Sequence, residues 1–317
     1  MKLKDLYERA VKVGIENDPR GTDSVQRELE TRKKKYQDMP EKEKEFFDKD
    51  SLWNPYSDTR ILNGTGEEEI KTILAGIDIE VPEVLLADAL TRGGTKVDLI
   101  LAHHPEGMAL ANLYDVMKLQ SELLWQFGVP VNIAESLMEG RISEVKRRLM
   151  PLNHQRTVDA ARVLGYPLMC LHTPADNMVA TFLQRLFDEK KPYTISDILD
   201  ILLEIPEYRE AAKKGSGPEV LLGNKDRKAG KVYVDMTGGT EGAKDIFQAL
   251  TLSGVNTIVA MHLSEEHRKE AEKHHLNVVI AGHIASDNLG LNLLLDEVLE
   301  DGVKVIECSG FVRIKRK

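Results

Sequence analysis

Short apolar runs that finish on histidine punctuate this chain. Leu99-Ile100-Leu101-Ala102 leads into His103-His104-Pro105, and Leu168-Met169-Cys170-Leu171 into His172-Thr173-Pro174-Ala175-Asp176. Ile258-Val259-Ala260-Met261 leads to His262, and Val278-Val279-Ile280-Ala281 to Gly282-His283. Continuous apolar runs of this length, bounded by turn residues, read as strands buried on both faces. Between them the pattern takes a helical period. Pro82 suits the first turn of a helix that runs to about Leu90 and stops at Gly93-Gly94. Leu119, Leu123, Leu124 and Phe127 recur at helical spacing inside a mostly helical stretch, about 111–165, and 3–13 reads as an amphipathic helix.

The alternation predicts an α/β fold with helices covering parallel sheets. Strands are expected over 73–79 and 97–102, and again over 231–235, 256–261, 277–281 and 303–307. Helices are expected over 243–252, 264–275 and 287–299. The chain divides into a charged helical region with an insertion (1–60), a first α/β domain (61–190), a connection (191–228) and a second α/β domain (229–317). Lys213-Lys214-Gly215-Ser216-Gly217-Pro218 and Gly223-Asn224-Lys225-Asp226 mark that connection as a linker or mobile join.

Composition narrows the function classes. A length of 317 residues suggests about two domains. The net charge of −9 argues against broad binding of nucleic acid or an anionic membrane, which call for a basic surface. No apolar run is long enough to span a bilayer, and Met1-Lys2-Leu3-Lys4-Asp5-Leu6 lacks the apolar core of a signal peptide, so a cytoplasmic protein is expected. Cys170 and Cys308 sit in strand-like runs and read as buried free thiols, with no clustered pair for a sulfur-rich zinc site. The segment 28–50 is dense in both charges and reads as an exposed helical arm that Phe46-Phe47 and Trp53 could anchor; a partner-binding or substrate-covering arm is the alternative.

Five of the nine histidines stand at or just past strand ends, where open α/β sheets bind ligands. Neighbouring residues on a strand point to opposite faces, so His103 and His104 meet one site only if the strand has ended, as Pro105 favours, or if each serves a different ion. Either or both of His172 and Asp176 could ligate, and a ligating imidazole needs an acceptor for its other nitrogen. His283 and Asp287 share a face if their turn is helical. Three histidines and two carboxylates from three strand ends suit a pair of divalent ions about 3.5–4 Å apart. Imidazole and carboxylate ligands leave Zn, Mn, Fe or Co open. The turn Asp235-Met236-Thr237-Gly238-Gly239-Thr240-Glu241-Gly242 has no Walker or Rossmann spacing, yet its amides could cradle a phosphate or carboxylate at a helix N-terminus. His262 and His267 are candidates for proton handling or for orienting a ligand, while His154, His274 and His275 read as surface residues.

The motifs His103-His104-Pro105, His172-Thr173-Pro174-Ala175-Asp176 and Gly282-His283-Ile284-Ala285-Ser286-Asp287 resemble, in order and spacing, those of the NGG-interacting factor three family. Members of that family are often described as type-two GTP cyclohydrolase I homologues. The likeness spans about 60–317 and the first fifteen or so residues, which are similar to the family's first helix. It implies His103, His104, Asp176 and His283 as metal ligands. The family's bridging glutamate falls on Asp287, one methylene shorter, so bridging there needs closer backbone approach or an intervening water. It also implies two similar α/β domains with the site in the cleft between them, and a homo-oligomer, often a ring-shaped hexamer of dimers. His172 then stands behind the ligands, with His262 as a possible proton carrier, and these two are the expected catalytic side chains.

The leading expectation is a dinuclear metal-dependent hydrolase that acts through a metal-activated water on a small anionic substrate: a nucleotide, a phosphoester or a cyclic amide. The alternative is a metal-holding scaffold or regulatory protein without turnover, docking through the charged arm. A barrel amidohydrolase is disfavoured, since it would place His-x-His on one strand.

Overall fold

The computed structural model describes residues 1–316. From the N-terminus run α1 (Leu3–Glu16), α2 (Thr22–Asp38), α3 (Glu41–Lys44), β1 (Arg60–Asn63), β2 (Thr72–Gly76), α4 (Val81–Arg92), β3 (Leu99–Ala102), α5 (Gly107–Ala111), α6 (Lys118–Gln126), α7 (Val131–Leu149) and α8 (Arg156–Leu164). There follow β4 (Leu168–Cys170), α9 (Thr173–Lys190), α10 (Ile195–Glu204), α11 (Pro206–Lys213), β5 (Glu219–Leu222), β6 (Lys231–Asp235), α12 (Ile246–Leu252), β7 (Val255–Ala260), α13 (Glu265–Lys273), β8 (Asn277–Ile280), α14 (His283–Val298) and β9 (Lys304–Cys308).

The strands form two mixed sheets, ordered β1-β4-β3-β2-β9 and β5-β8-β7-β6. Each is parallel except for an antiparallel edge strand, β1 in one and β5 in the other. Helices α9 and α14 lie between the sheets. Ala175, Met178, Leu291, Leu294 and Leu295 pack towards the first sheet with α1, and Val179, Leu183, Phe187 and Leu289 towards the second. The outer face of the first sheet is covered by α4 and α8, that of the second by α6, α7, α12 and α13. A fully buried leucine contributes about 1.5–3 kcal/mol. This layer of aliphatic burial, not surface ion pairs worth at most about 1 kcal/mol each, holds the two central helices.

Four differences from the sequence reading bear on the site. The stretch 191–228 is folded: Ile195, Ile198, Leu199 and Leu202 are buried at helical spacing, and Thr194 and Asp197 form a capping box. The glycine- and lysine-rich composition nearby masked that periodicity. The last strand, β9, leaves the second sheet and pairs with β2 in the first. Helix α14 begins at His283, earlier than expected. The charged arm is seated by buried Val25 and Leu29 and by Arg32, which reaches Asp115 at 3.2 Å. Trp53 packs edge-on against Tyr7, and Phe47 meets only Tyr36 of the arm among the ring pairs described, while Phe46 is 85% exposed and anchors nothing.

Candidate metal centre

Strand β3 ends at Ala102, and the chain then bends at His103 and His104, whose amides bond to the Gly76 and Ile77 carbonyls. Because the strand has ended, both rings turn to one side, with centroids 5.2 Å apart. After β4, His172 sits at the N-terminal boundary of α9 and Asp176 in the first turn of that helix. After β8, the positive φ of Gly282 (108°) turns the chain into α14, which starts at once, so His283 and Asp287 lie one turn apart on the same helix.

The five residues expected as ligands converge. Nε2 of His103 lies 3.5 Å from Oδ1 of Asp176 and 3.5 Å from Oδ1 of Asp287. Nε2 of His104 and Nε2 of His283 each lie 3.5 Å from Oδ2 of Asp287. Ligand atoms of His103, Asp176 and Asp287, and of His104, His283 and Asp287, form groups that could each hold an ion. The groups share Asp287. His103, His104 and His172 form a third such group.

The other ring nitrogens are already engaged. Nδ1 of His103 donates to the Leu171 carbonyl at 3.0 Å, Nδ1 of His104 meets Asp78 at 2.7 Å, and Nδ1 of His172 meets Asp58 at 2.8 Å. An acceptor on Nδ1 leaves the Nε2 lone pair for an ion, the arrangement that ligating histidines show. The reverse side of the cluster is unsatisfied: among the described residues, Nε2 of His103, Oδ1 of Asp176 and both carboxylate oxygens of Asp287 are buried with no hydrogen-bond partner. Leaving such atoms unpaired costs about 1–3 kcal/mol each, and more when charged. A divalent cation in each of the two groups would give these atoms a partner, so the donor set fits metal ions.

The electrostatics follow from crowding. Burial, assisted by the carboxylates of Asp287 and Asp58, pushes Asp176 up to about 8. Burial works the same way on Asp287, but the His103, His104 and His283 imidazoles outweigh it and hold that carboxyl well below its ordinary range. Burial opposes protonation of His104, yet Asp287 and Asp78 lift it to about 9, whereas burial takes His283 down to about 4. Acids and imidazoles driven apart in this way are a pattern that functional clusters share with structural ion-pair networks.

A cavity of about 410 Å³ opens beside the cluster. Besides the cluster its lining includes Arg141, Arg148, Glu241, His262 and His267. His262 is half-exposed, its ring 4.9 Å from that of His283, and Glu241, 3.6 Å from its Nδ1, raises its pKa. His267 is a structural residue instead: its ring bonds to Ser264 Oγ at 2.7 Å and to the Gly242 carbonyl at 2.9 Å. The glycine-rich turn lines the cavity but does not abut a helix start, since α12 begins only at Ile246 and the Gly238 and Thr240 carbonyls are held by Gln120. His154 is of intermediate exposure, with its Nε2 buried. The orienting acceptors Asp58 and Asp78 escaped the sequence reading. Asp78 stands two residues past β2, where an acid beyond a strand end could have flagged it, whereas Asp58 precedes β1 and carries no such signal.

The fold has solved relatives. The NIF3 superfamily protein from Sphaerobacter thermophilus aligns with a TM-score of 0.71 at 28% identity, covering 80% of this chain and 92% of its own. Reduced HcgD from Methanocaldococcus jannaschii is a looser likeness, with a TM-score of 0.47 and 15% identity over 78% of this chain and 87% of that one. A Bacillus cereus protein related to NIF3 has a TM-score of 0.39 and 12% identity over 81% of this chain and 92% of that one. No family model matches the sequence, and no curated protein does. No helix among the described residues is long and apolar enough to cross a membrane.

Proposed function

We propose that this chain, whose fold is like that of a NIF3 superfamily protein, is a NIF3-like metal-dependent hydrolase whose two divalent ions are held by His103, His104, Asp176, His283 and Asp287. The observation that carries the reading is the set of buried, unpartnered ligand atoms on His103, Asp176 and Asp287, facing one another across 3.5 Å gaps. Bound there, two ions supply Lewis acidity and a water activated near neutral pH. The chain's own part is orientation. Leu171, Asp78 and Asp58 fix the rings of His103, His104 and His172 through Nδ1. Asp287 stands between the two ligand groups and serves as their shared carboxylate.

The substrate is a small anion: a nucleotide, phosphoester or cyclic amide bearing a negative group. Arg141 and Arg148 line the cavity, both ion-paired with Glu144, and give that wall a net positive charge for such a group, and the volume suits a ligand of mononucleotide size. His172 and His262 handle protons at the two flanks of the cluster. Ions of the Zn, Mn, Fe or Co class fit the nitrogen and oxygen donors. A cytoplasmic homo-oligomer, a hexamer in its fullest form, completes the reading.

The test is elemental analysis together with a turnover screen of nucleotides, phosphoesters and cyclic amides. Two transition-metal equivalents and a metal-dependent hydrolysis abolished by Asp176→Asn support the proposal. Purified protein that takes up no such metal, or His104→Ala and His283→Ala variants with full metal content, overturns it. Tight metal binding without turnover on any substrate class supports the regulatory scaffold instead.

A further inference from the structure

The antiparallel pairing of β1 with β4 sets Arg60 opposite Cys170 and Ile61 opposite Met169. Asp58 lies in the turn two residues before β1 and His172 two residues after β4, so this pairing brings the two segments together. The side chains meet there: Asp58 Oδ2 accepts from His172 Nδ1 at 2.8 Å and from Thr173 Oγ1 at 2.6 Å. The next residue, Thr59, accepts the backbone N–H of His172 on its hydroxyl at 3.1 Å. Two consecutive residues ahead of an edge strand therefore hold the ring and the backbone of one histidine. Asp58 is fully buried, at 0% exposure, so its contacts are with these groups and not with solvent.

We propose that Asp58 is a positioning residue: by taking the Nδ1 hydrogen of His172 it fixes the ring tautomer and presents a bare Nε2 as acceptor on the Asp176 side of the site. The inference rests on the reading of the cavity as a hydrolytic metal centre. Nε2 of His172 lies 3.7 Å from Asp176 Oδ2, and the ring centroid 5.1 Å from that of His103. An acceptor at this point takes the proton of the water that reacts beside Asp176. The O–H bond breaks, the proton passes to Nε2, and the electron pair stays on the oxygen that attacks the substrate. Asp58 itself takes no proton; its carboxylate holds the ring in this orientation and tautomer, as the aspartate of a Ser-His-Asp triad does. The opposite tautomer would donate into the site and do no such work.

The experiment uses the full chain loaded with zinc, its histidine rings labelled with nitrogen-15, and bis(p-nitrophenyl) phosphate as probe substrate. The wild-type ring of His172 is expected as the Nδ1–H tautomer. Asp58→Asn offers an amide donor to Nδ1, so the ring hydrogen moves to Nε2 and turnover falls by about 10²–10⁴-fold, with the zinc content unchanged. Thr173→Val removes the other bond to the same oxygen and leaves tautomer and rate near wild type. An unchanged ring in Asp58→Asn, a rate loss that tracks zinc loss, or an equal effect of Thr173→Val overturns the inference. Should Asp58→Asn fail to fold, the wild-type spectrum decides alone: an Nε2–H ring overturns the proposal and an Nδ1–H ring supports it. Absence of turnover by wild type would count against the hydrolase reading, while the tautomer comparison still judges Asp58.

Discussion

A Cβ added to Gly290 would stand 2.4 Å from the carbonyl oxygen of Ala175. Helices α14 and α9 therefore cross with their backbones in direct approach. Ala175 immediately precedes Asp176, and Gly290 lies about one turn beyond Asp287, so this crossing is what brings the two carboxylates to one point. Gly290→Ala must push the helices apart, because the atom in the way is backbone. We expect a stability loss of about 1–3 kcal/mol, read by urea or thermal melts, and weakened metal loading. A Gly290→Ala protein with wild-type stability and full loading would show that the crossing does not set the site.

Removal of a ligand should be felt more than removal of its support. His103→Ala and Asp287→Asn are expected to lose at least one ion equivalent by elemental analysis. Asp78→Ala frees Nδ1 of His104 and leaves the ligand in place. It should weaken metal affinity by about 10–100-fold, the usual cost of losing an orienting acceptor. Equal metal affinity in wild type and Asp78→Ala, measured by competition with a chelator, would contradict this.

The metal-free protein has a pH dependence of definite sign. Burial lifts Asp176 from 3.8 to about 8 in the fold. Its contribution to stability is therefore complete below the unfolded value and is lost as pH rises through the folded one. Between about pH 4 and pH 8 this group makes stability fall, whereas the depressed carboxyl of Asp287 contributes stability that is lost only under strongly acid conditions. Thermal melts of metal-free wild type and Asp176→Asn across that range separate the two. The wild type should lose more stability on going alkaline, and parallel curves would refute the assignment.

Helix α14 is clamped from outside by the C-terminal segment. Asn288 bonds to the Gly310 carbonyl at 2.9 Å and the Val312 amide at 2.6 Å. Asn292 bonds to the Val312 carbonyl at 2.9 Å and the Ile314 amide at 3.0 Å. Asp296 takes the Arg316 amide at 3.0 Å. These residues are spaced one turn apart on the helix that carries His283 and Asp287. Asn292→Ala strands the buried Glu207 carboxylate and the part-buried Val312 and Ile314 backbone groups, and a loss of about 1–3 kcal/mol is expected. A denaturation midpoint equal to wild type would argue against the clamp.

Glu241 controls His262. Its carboxylate lies 3.6 Å from Nδ1 and raises the imidazole above its ordinary value. Glu241→Gln should lower the pKa of His262 towards that value in an NMR titration, with little change in stability, since His262 is half-exposed. An unmoved titration would remove Glu241 from the proton-handling scheme.

Much of this site was legible because its signals are local. Apolar runs of three to six residues report burial on both faces of a strand, and a histidine just past each run is visible without knowing which strands pair. The candidacy of His103, His104, His172, Asp176, His283 and Asp287, the helical spacing of the last two and the α/β class follow from short windows of sequence, while the choice of ligands among them came from the family resemblance. What was missed is non-local. Asp58 reaches His172 only through the β1–β4 register, and β9 pairs with β2 at the far end of the chain. The helices at 195–213 were hidden because the composition of their flanks outweighed a periodicity that burial against Val179 and Leu183 makes decisive.

The sequence by itself determined which residue types stand at strand ends, and hence the donor chemistry of the candidate centre, because periodicity and turn residues act over a few positions. Only the tertiary structure decided which of those ends face one another. Strand register and the Gly290–Ala175 crossing depend on contacts between distant segments, and that packing turns three separate histidine-tipped loops into one buried cluster.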